Sequence, residues 1–185
     1  MLGAALLFAL KAVYLFLPAI FANMMPPLFR NVRFLDWPVD FDRKFLGKPI
    51  FGSHKTYRGF FFGIIVAIIT ASFQKWMFLD FAPFAGISII DYFSQSAVLL
   101  GFLMGLGALL GDLVESFIKR RINVKPGKPW IPFDQVDFVI GALLLMMIVY
   151  IPSWQVIVFL LIAVPFGHIA VNHIGYYIGI NKSKW

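Results

Sequence analysis

The chain has no cysteine among its 185 residues, and only 14% of its residues are charged. The lack of cysteine excludes disulfides, thiolate metal ligands and cysteine nucleophiles. The shortage of charge accompanies a hydrophobic content of 61%, whereas soluble domains contain about half apolar residues. The excess predicts extensive lipid-facing surface, and hence an integral membrane protein.

Five apolar runs predict an all-α polytopic membrane protein with one domain, residues 1–185. A spanning helix needs roughly 20 residues to cross a hydrocarbon core of about 30 Å. The first run follows no basic segment and precedes no small-residue cleavage site, so we interpret it as a retained helix and not a signal peptide. The predicted transmembrane helices are about 2–23, 59–79, 88–115, 135–151 and 153–180.

Basic residues are concentrated in three segments that five spans place on one side. Fourteen of the 16 Lys and Arg residues lie in segments 24–58 and 116–134 and in the C-terminal tail. The positive-inside rule assigns that side to the cytoplasm. We therefore expect a cell-membrane protein with its N-terminus outside, two cytoplasmic loops at about 24–58 and 116–134, and a cytoplasmic C-terminus. We expect membrane lipids and no nucleic acid as partners; the oligomeric state stays open.

Two predicted helices have short purely apolar stretches, residues 97–111 and 138–152. At about 1.5 Å per residue, 15 residues cover roughly 22 Å. Because a carboxylate in lipid is costly, their acidic ends must lie in the headgroup layer or in a wet cavity just below it. These ends carry Asp112, Glu115, Asp134 and Asp137.

The third helix is predicted to carry polar groups on one face near its cytoplasmic end. Asp112, Glu115, Ser116 and Lys119 are spaced i, i+3, i+4 and i+7, which puts them on one stripe. Carboxylates and a lysine on one stripe indicate a binding site for a metal ion and a polyphosphate. An ordinary helix end with snorkelling cations explains the Lys119–Arg121 run equally well, but it does not explain Asp112.

Asp134 and Asp137 are three residues apart at the predicted start of the fourth helix. Acidic residues are favoured there by the helix dipole and by capping. The same pair opposite Asp112 would form an oxygen site suited to Mg²⁺. Both interpretations stay open for Asp134.

The segment Gly52–Gly59, just before the second helix, combines small, hydroxyl and basic residues. Such a helix start suits phosphate oxygens, although it also fits a capped, positive-inside helix end. The aromatic residues upstream of it are either an interfacial belt or a stacking surface for a nucleobase.

Several small or polar residues interrupt the apolar runs. We interpret Gly101, Gly105, Gly107 and Gly111 as a helix-packing face. Isolated polar residues in apolar runs usually face the bundle interior, and for the histidines packing is favoured over metal ligation. These residues are Lys11, Asn23, His168, Asn172 and His173.

Together the motifs resemble those of the CDP-diglyceride synthase (phosphatidate cytidylyltransferase-like) family of membrane enzymes. That signature has Gly-Asp, Ser-x-x-Lys-Arg, a further Lys and Asp-x-x-Asp, with Lys-Thr-x-x-Gly upstream. The counterparts here are Gly111-Asp112, Ser116 to Arg120, Lys125, Asp134 to Asp137 and Lys55 to Gly59. Pro126 replaces the acid that usually follows the Lys, so that position can have no metal role. The short chain is similar to the archaeal branch, CDP-archaeol synthase.

The resemblance implies an Mg²⁺-dependent cytidylyltransferase whose substrates are CTP and an isoprenoid ether lipid phosphate, 2,3-bis-O-geranylgeranyl-sn-glycerol 1-phosphate. The products would be CDP-archaeol, in its unsaturated form, and pyrophosphate. The implied metal ligands are Asp112, Glu115, Asp134 and Asp137. The implied catalytic residues are Asp112, Lys119, Asp134 and Asp137. The implied CTP-binding residues are Ser53, His54, Lys55, Thr56, Arg58, Ser116, Lys119, Arg120 and Asn123.

Three other functions remain as alternatives. A CDP-diacylglycerol synthase acting on phosphatidate would carry the same motifs, because lipid tails touch interchangeable apolar residues. A small membrane transporter would need polar residues through the bilayer depth and usually an internal repeat, and the sequence has neither. A scaffold protein would not need Asp112, Asp134 and Asp137 together.

Overall fold

A computed structural model describes residues 2–125 and 128–178, without the side chains of residues 171, 172, 174 and 175. Four features of the sequence lie outside this description: the end of the predicted fifth span, the basic residues of the tail, Pro126 and the Asn172 side chain.

The described chain consists mostly of helices, as predicted. A short antiparallel hairpin in the first loop is the departure from the all-α prediction. The helices are α1 (Leu2–Leu28), α2 (Tyr57–Asp80), α3 (Ala82–Ile87), α4 (Ala97–Arg121), α5 (Phe133–Met146) and α6 (Trp154–Tyr177). The strands are β1 (Lys44–Phe45) and β2 (Lys48–Pro49).

Three helices of the described residues, α1, α2 and α4, are long and apolar enough to cross a membrane. Helix α6 has a shorter apolar stretch at Trp154–Ala170, and α5 has only 14 residues. The five-span count and the orientation therefore stay predictions.

Two predicted helix bounds near α4 and α5 are wrong. The third helix begins at Ala97 and not near residue 88, because the Asp91 carboxylate accepts the Phe93 amide (3.0 Å) and starts a separate turn before α4. Ser96 then caps α4 by accepting the Leu99 amide (3.3 Å). Helix α5 ends at Met146 and not near 151, since Met147–Tyr150 continues as a tighter turn.

Helix α4 lies at the centre and contacts α1, α2 and α5. The predicted glycine face is confirmed. A Cβ on Gly101 would come within 2.6 Å of the Ala67 carbonyl oxygen of α2. A Cβ on Gly111 would come within 2.8 Å of the Asp137 carbonyl carbon of α5. Small residues thus let two helices reach van der Waals contact with α4 through their backbones, and this contact sets Asp112 beside Asp137.

At the other end of the bundle, Gln74 compensates for a proline in α1. Pro18 has no amide hydrogen, so the Tyr14 carbonyl four residues earlier lacks its helical donor. The Gln74 side-chain amide donates to that carbonyl and accepts from the Tyr92 hydroxyl (3.1 Å). Because both side chains are almost fully buried, this network satisfies groups that would otherwise cost free energy and ties α2 to α1.

The loop between α1 and α2, residues 29–56, is ordered around the hairpin and Asp40. Leu46 and Gly47 both have positive φ (50° and 76°), as a two-residue type I′ turn requires. The buried Asp40 carboxylate accepts the amides of Phe51 (2.8 Å) and Gly52 (3.0 Å). Burial raises the pKa of this carboxyl, but the backbone donors outweigh burial and lower the pKa below its ordinary value. The loop is thus folded around a charged carboxylate at neutral pH.

Candidate functional site

A cavity of about 290 Å³ opens where the loop 29–56 meets the adjoining ends of α4 and α5. Acidic and basic side chains share its wall, which is unusual in so apolar a chain. The lining residues are Phe51, Gly52, His54, Lys55, Asp112, Glu115, Ser116, Lys119, Arg120, Lys128, Pro129, Asp134 and Asp137.

Three carboxylates converge inside the cavity. Asp112 and Glu115 lie one turn apart on α4, and Asp137 reaches them from α5 across the contact at Gly111. Each offers an oxygen atom, and these atoms all lie within 4.8 Å of one another. Hard oxygen donors at this spacing suit a divalent cation such as Mg²⁺. The residues therefore fit the metal that the motifs imply.

Two lysines are the counter-ions of three of the four acidic groups. The Lys55 ammonium lies 2.6 and 2.7 Å from the two Asp112 carboxylate oxygens. The Lys119 ammonium lies 3.0 Å from Glu115 and 3.0 Å from Asp134. Because buried charges are tolerated chiefly when paired, these contacts explain how Asp112, Glu115 and Asp134 are accommodated at the ends of apolar helices.

Asp134 lies beside the three carboxylates without joining them. Its carboxylate accepts from Lys119 (3.0 and 3.1 Å) and from the Trp130 amide (3.0 Å). Three of the four predicted metal ligands are thus close enough for one ion, and the fourth is paired with Lys119. The capping interpretation of Asp134 is partly right, since the carboxylate accepts an amide just before α5.

Arg120 is the basic residue best suited to an anion. The residue is 6% exposed and lines the cavity, yet its Nε has no hydrogen-bond partner. A buried donor without a partner is costly, and an arginine fork matches phosphate oxygens. A phosphate in the cavity would satisfy this group.

Five predicted CTP-binding residues line the cavity: His54, Lys55, Ser116, Lys119 and Arg120. Ser53, Thr56, Arg58 and Asn123 are not part of its wall. Thr56 caps α2 by accepting the Gly59 amide (3.3 Å). Arg58 turns away to pair with Asp36 (2.7 Å) and to donate to the Val32 carbonyl. The capping interpretation of this segment is therefore confirmed at Thr56, whereas phosphate binding by His54 and Lys55, which line the cavity, stays a prediction.

Four lining residues were not predicted: Phe51, Gly52, Lys128 and Pro129. Gly52 begins the Gly52–Gly59 segment and Phe51 directly precedes it, which is a signal that could have found both. Phe51 is also the aromatic residue of the loop that reaches the cavity, whereas Trp37 and Phe41 are mostly exposed. The His168 ring packs 6.2 Å from the Phe138 ring and is not in the cavity wall, which agrees with the packing interpretation.

Replacing Lys55 with glutamine should affect two ligands in opposite directions. The change releases Asp112 from its counter-ion, so a divalent metal should bind roughly tenfold more tightly in the absence of nucleotide. It also removes a cation from the cavity wall, so CTP should bind roughly tenfold more weakly. Mn²⁺ titration followed by electron paramagnetic resonance, and CTP titration by calorimetry, measure the two affinities separately.

The matched control is Lys44→Gln, which removes an exposed lysine of the same loop and should leave both affinities unchanged. A parallel loss of both affinities in Lys55→Gln would mean that Lys55 only maintains the shape of the site.

Comparisons with known proteins agree with this chemistry. A family model described as CarS-like, CDP-archaeol synthase, matches residues 4–185. The chain is 36% identical over 185 residues to a CDP-archaeol synthase of Methanocaldococcus jannaschii, covering 97% of this chain and 98% of the relative. It is 38% identical over 178 residues to that of Pyrococcus horikoshii, covering 95% and 96%.

A solved structure has a similar fold over most of its length. It is described as an intramembrane enzyme for archaeal membrane lipids biosynthesis, and it superposes with a TM-score of 0.66 at 29% sequence identity. The match covers 87% of this chain and 92% of that one.

Proposed function

The chain belongs to the CarS-like CDP-archaeol synthase family, and from that premise we propose that it transfers the cytidylyl group of CTP to a membrane lipid phosphate. The proposed acceptor is 2,3-bis-O-geranylgeranyl-sn-glycerol 1-phosphate, and the products are unsaturated CDP-archaeol and pyrophosphate. One observation carries the proposal: three convergent carboxylates share a cavity with Lys55, Lys119 and Arg120, and the Nε of Arg120 has no hydrogen-bond partner.

In the proposed reaction a lipid phosphate oxygen attacks the α-phosphorus of CTP. A new bond forms between that oxygen and the α-phosphorus, and the bond from the α-phosphorus to the bridging oxygen of the β-phosphate breaks. The electron pair leaves with pyrophosphate. The attacking oxygen is already ionised at neutral pH, so no side chain has to remove a proton. Catalysis of such a step rests mainly on positioning and on charge stabilisation.

The basic side chains supply that stabilisation on the nucleotide side. Lys55 comes from the loop, while Lys119 and Arg120 come from the last turn of α4. Their charges oppose those of the triphosphate and of the departing pyrophosphate. Asp134 holds the Lys119 ammonium at 3.0 Å, so it acts on the phosphates through that lysine.

The acidic side chains are proposed to hold the metal. Asp112, Glu115 and Asp137 would bind Mg²⁺, which supplies charge neutralisation as a Lewis acid when bound. A bound cation would replace Lys55 as the counter-ion of Asp112. Lys55 would then be available to a phosphate, and metal binding would thereby favour nucleotide binding.

The topology is proposed to be five spans with the cavity facing the cytoplasm. The loop 29–56 and the α4–α5 connection form the cavity wall, and both belong to the basic segments that the positive-inside rule assigns to that side. CTP would enter from the water and the lipid phosphate from the inner leaflet. A short α5 fits this arrangement, because its N-terminal end opens into a polar cavity instead of lipid.

The substrate class is tested with purified protein in liposomes. CTP labelled with ³²P at the α-phosphate and Mg²⁺ are supplied with either an ether-linked isoprenoid lipid phosphate or an ester-linked phosphatidate. We expect the label to enter the ether lipid preferentially and to stay out of lipid when EDTA is present. Equal or greater labelling of phosphatidate would favour the CDP-diacylglycerol synthase alternative.

A further inference from the structure

Arg121, the last residue of α4, ties that helix to the hairpin of the loop 29–56. Its guanidinium donates to three carbonyl oxygens of the hairpin, those of Phe45, Lys48 (3.2 Å) and Pro49. The Lys48 ammonium returns a hydrogen bond to the Arg121 carbonyl (2.9 Å). The two segments are 72 to 76 residues apart in the chain, so this contact is a long-range anchor.

Aromatic rings complete the anchor. The Arg121 guanidinium carbon lies 5.5 Å from the centre of the Phe45 ring and 5.0 Å from that of Phe117, within the range of cation–π attraction. The Phe51 ring packs edge-on against Phe117 with centroids 6.4 Å apart. One guanidinium is therefore held by carbonyl oxygens and by ring faces at the same time.

The hairpin leads directly into one wall of the cavity. We call residues 51–55 the nucleotide wall, because Phe51, Gly52, His54 and Lys55 line the cavity. Asp40 binds the Phe51 and Gly52 amides, and Thr56 fixes the far end by capping α2. The hairpin sets the position of the other end, at Phe51, because Arg121 holds the hairpin against α4.

The geometry points to Arg121 as a positioning residue that sets the nucleotide wall against α4 and so controls CTP affinity without touching CTP. This inference rests on the proposed function for the identity of the ligand. Arg121 is not among the residues that line the cavity. The two residues before it do line the cavity, so three consecutive basic residues have separate tasks. Lys119 faces the acids, Arg120 faces the cavity and Arg121 faces the loop.

Lysine cannot replace arginine in this role. A guanidinium presents several donors in a planar fork and stacks on rings, whereas an ammonium is a compact point charge. Arg121→Lys should therefore behave almost like Arg121→Ala. If charge alone mattered, Arg121→Lys would instead retain the parent properties.

The kinetic test compares Arg121→Ala, Arg121→Lys and the parent protein in liposomes. We expect the KM for CTP to rise roughly tenfold or more in both variants, because several hydrogen bonds from a charged donor are lost. We expect kcat to change much less, and Mn²⁺ affinity not to weaken, because Asp112, Glu115 and Asp137 lie on α4 and α5. The matched control is Arg33→Ala, which removes an exposed arginine from the same loop and should leave KM unchanged.

Hydrogen exchange of the Phe51 and Gly52 amides gives a readout that needs no activity. Both amides are bonded to Asp40, and Arg121→Ala should speed their exchange while amides within α5 keep theirs. Unchanged exchange, a restored KM in Arg121→Lys, or a parallel loss of Mn²⁺ binding would each overturn the inference. If the parent protein transfers no cytidylyl group, the proposed function fails, and the exchange result still decides whether Arg121 positions the loop.

Discussion

Replacing Asp137 with asparagine should lower the rate of cytidylyl transfer at least about 100-fold, since even changes in residues that only support a metal ligand cost 10–100-fold. One oxygen of the Asp137 carboxylate accepts the Phe138 amide (2.6 Å). The carboxylate also lies at the centre of the cavity with those of Asp112 and Glu115. Asparagine keeps the shape of the side chain and removes its charge. Activity in liposomes and Mn²⁺ affinity should therefore fall together.

Asp134→Asn distinguishes a metal ligand from a residue that orients Lys119. Because Asp134 pairs with Lys119 and the Trp130 amide, its loss should raise the KM for CTP while Mn²⁺ affinity changes less than in Asp137→Asn. Asp42→Asn, which removes an exposed acid of the loop, is the neutral control. Equal Mn²⁺ affinities in Asp137→Asn and the parent would show that the three-carboxylate assignment is wrong.

Replacing Gly111 with alanine should lower the rate of cytidylyl transfer almost as much as Asp137→Asn does. A Cβ there would come within 2.8 Å of the Asp137 carbonyl carbon and 3.2 Å of the Phe138 Cα. These are backbone atoms that cannot rotate away, so Gly111→Ala must push α5 from α4 and separate Asp112 from Asp137. Overpacking of this kind costs about 1–3 kcal/mol of stability, and a displacement near 1 Å at an active site can cost about 100-fold in rate.

Gly167→Ala is the matched control for this change. Gly167 also lies in a long helix, and a Cβ there would meet nothing within 4 Å. We expect Gly167→Ala to keep the parent rate and melting temperature. Gly111→Ala should lose activity and Mn²⁺ affinity while its melting temperature in detergent falls by only a few degrees. Parent activity in Gly111→Ala would contradict the view that the α4–α5 contact places the carboxylates.

The helical face on α4 was predictable because its cause is local. Spacings of three, four and seven residues put Asp112, Glu115, Ser116 and Lys119 on one stripe, and all four line the cavity. The glycine face was predictable for a similar reason, since small residues at helical spacing permit close packing. The start of α4 was predicted too early, because the apolar pairs Ile89-Ile90 and Tyr92-Phe93 extend the apolar run upstream although Asp91 and Ser96 form side-chain caps there.

The loop 29–56 shows where sequence reasoning reaches its limit. Its composition suggested an interfacial aromatic belt or a stacking surface, but its structure depends on partners far along the chain. Lys55 pairs with Asp112, 57 residues away, and Arg121 binds the hairpin from 72 to 76 residues away. No periodicity within the loop encodes these contacts. The division of the four acids into three convergent carboxylates and one partner of Lys119 depends on the same distant geometry.

Cytidylyl transfer is tested with two preparations of labelled CTP, the parent protein, Mg²⁺ and the ether lipid phosphate. We expect ³²P at the α-phosphate to enter the lipid, and ³²P at the γ-phosphate to appear only in pyrophosphate. Transfer of the γ-label to lipid would identify a lipid kinase reaction, and absence of both labels from lipid would remove cytidylyl transfer altogether. Either result would contradict the function proposed for this cavity.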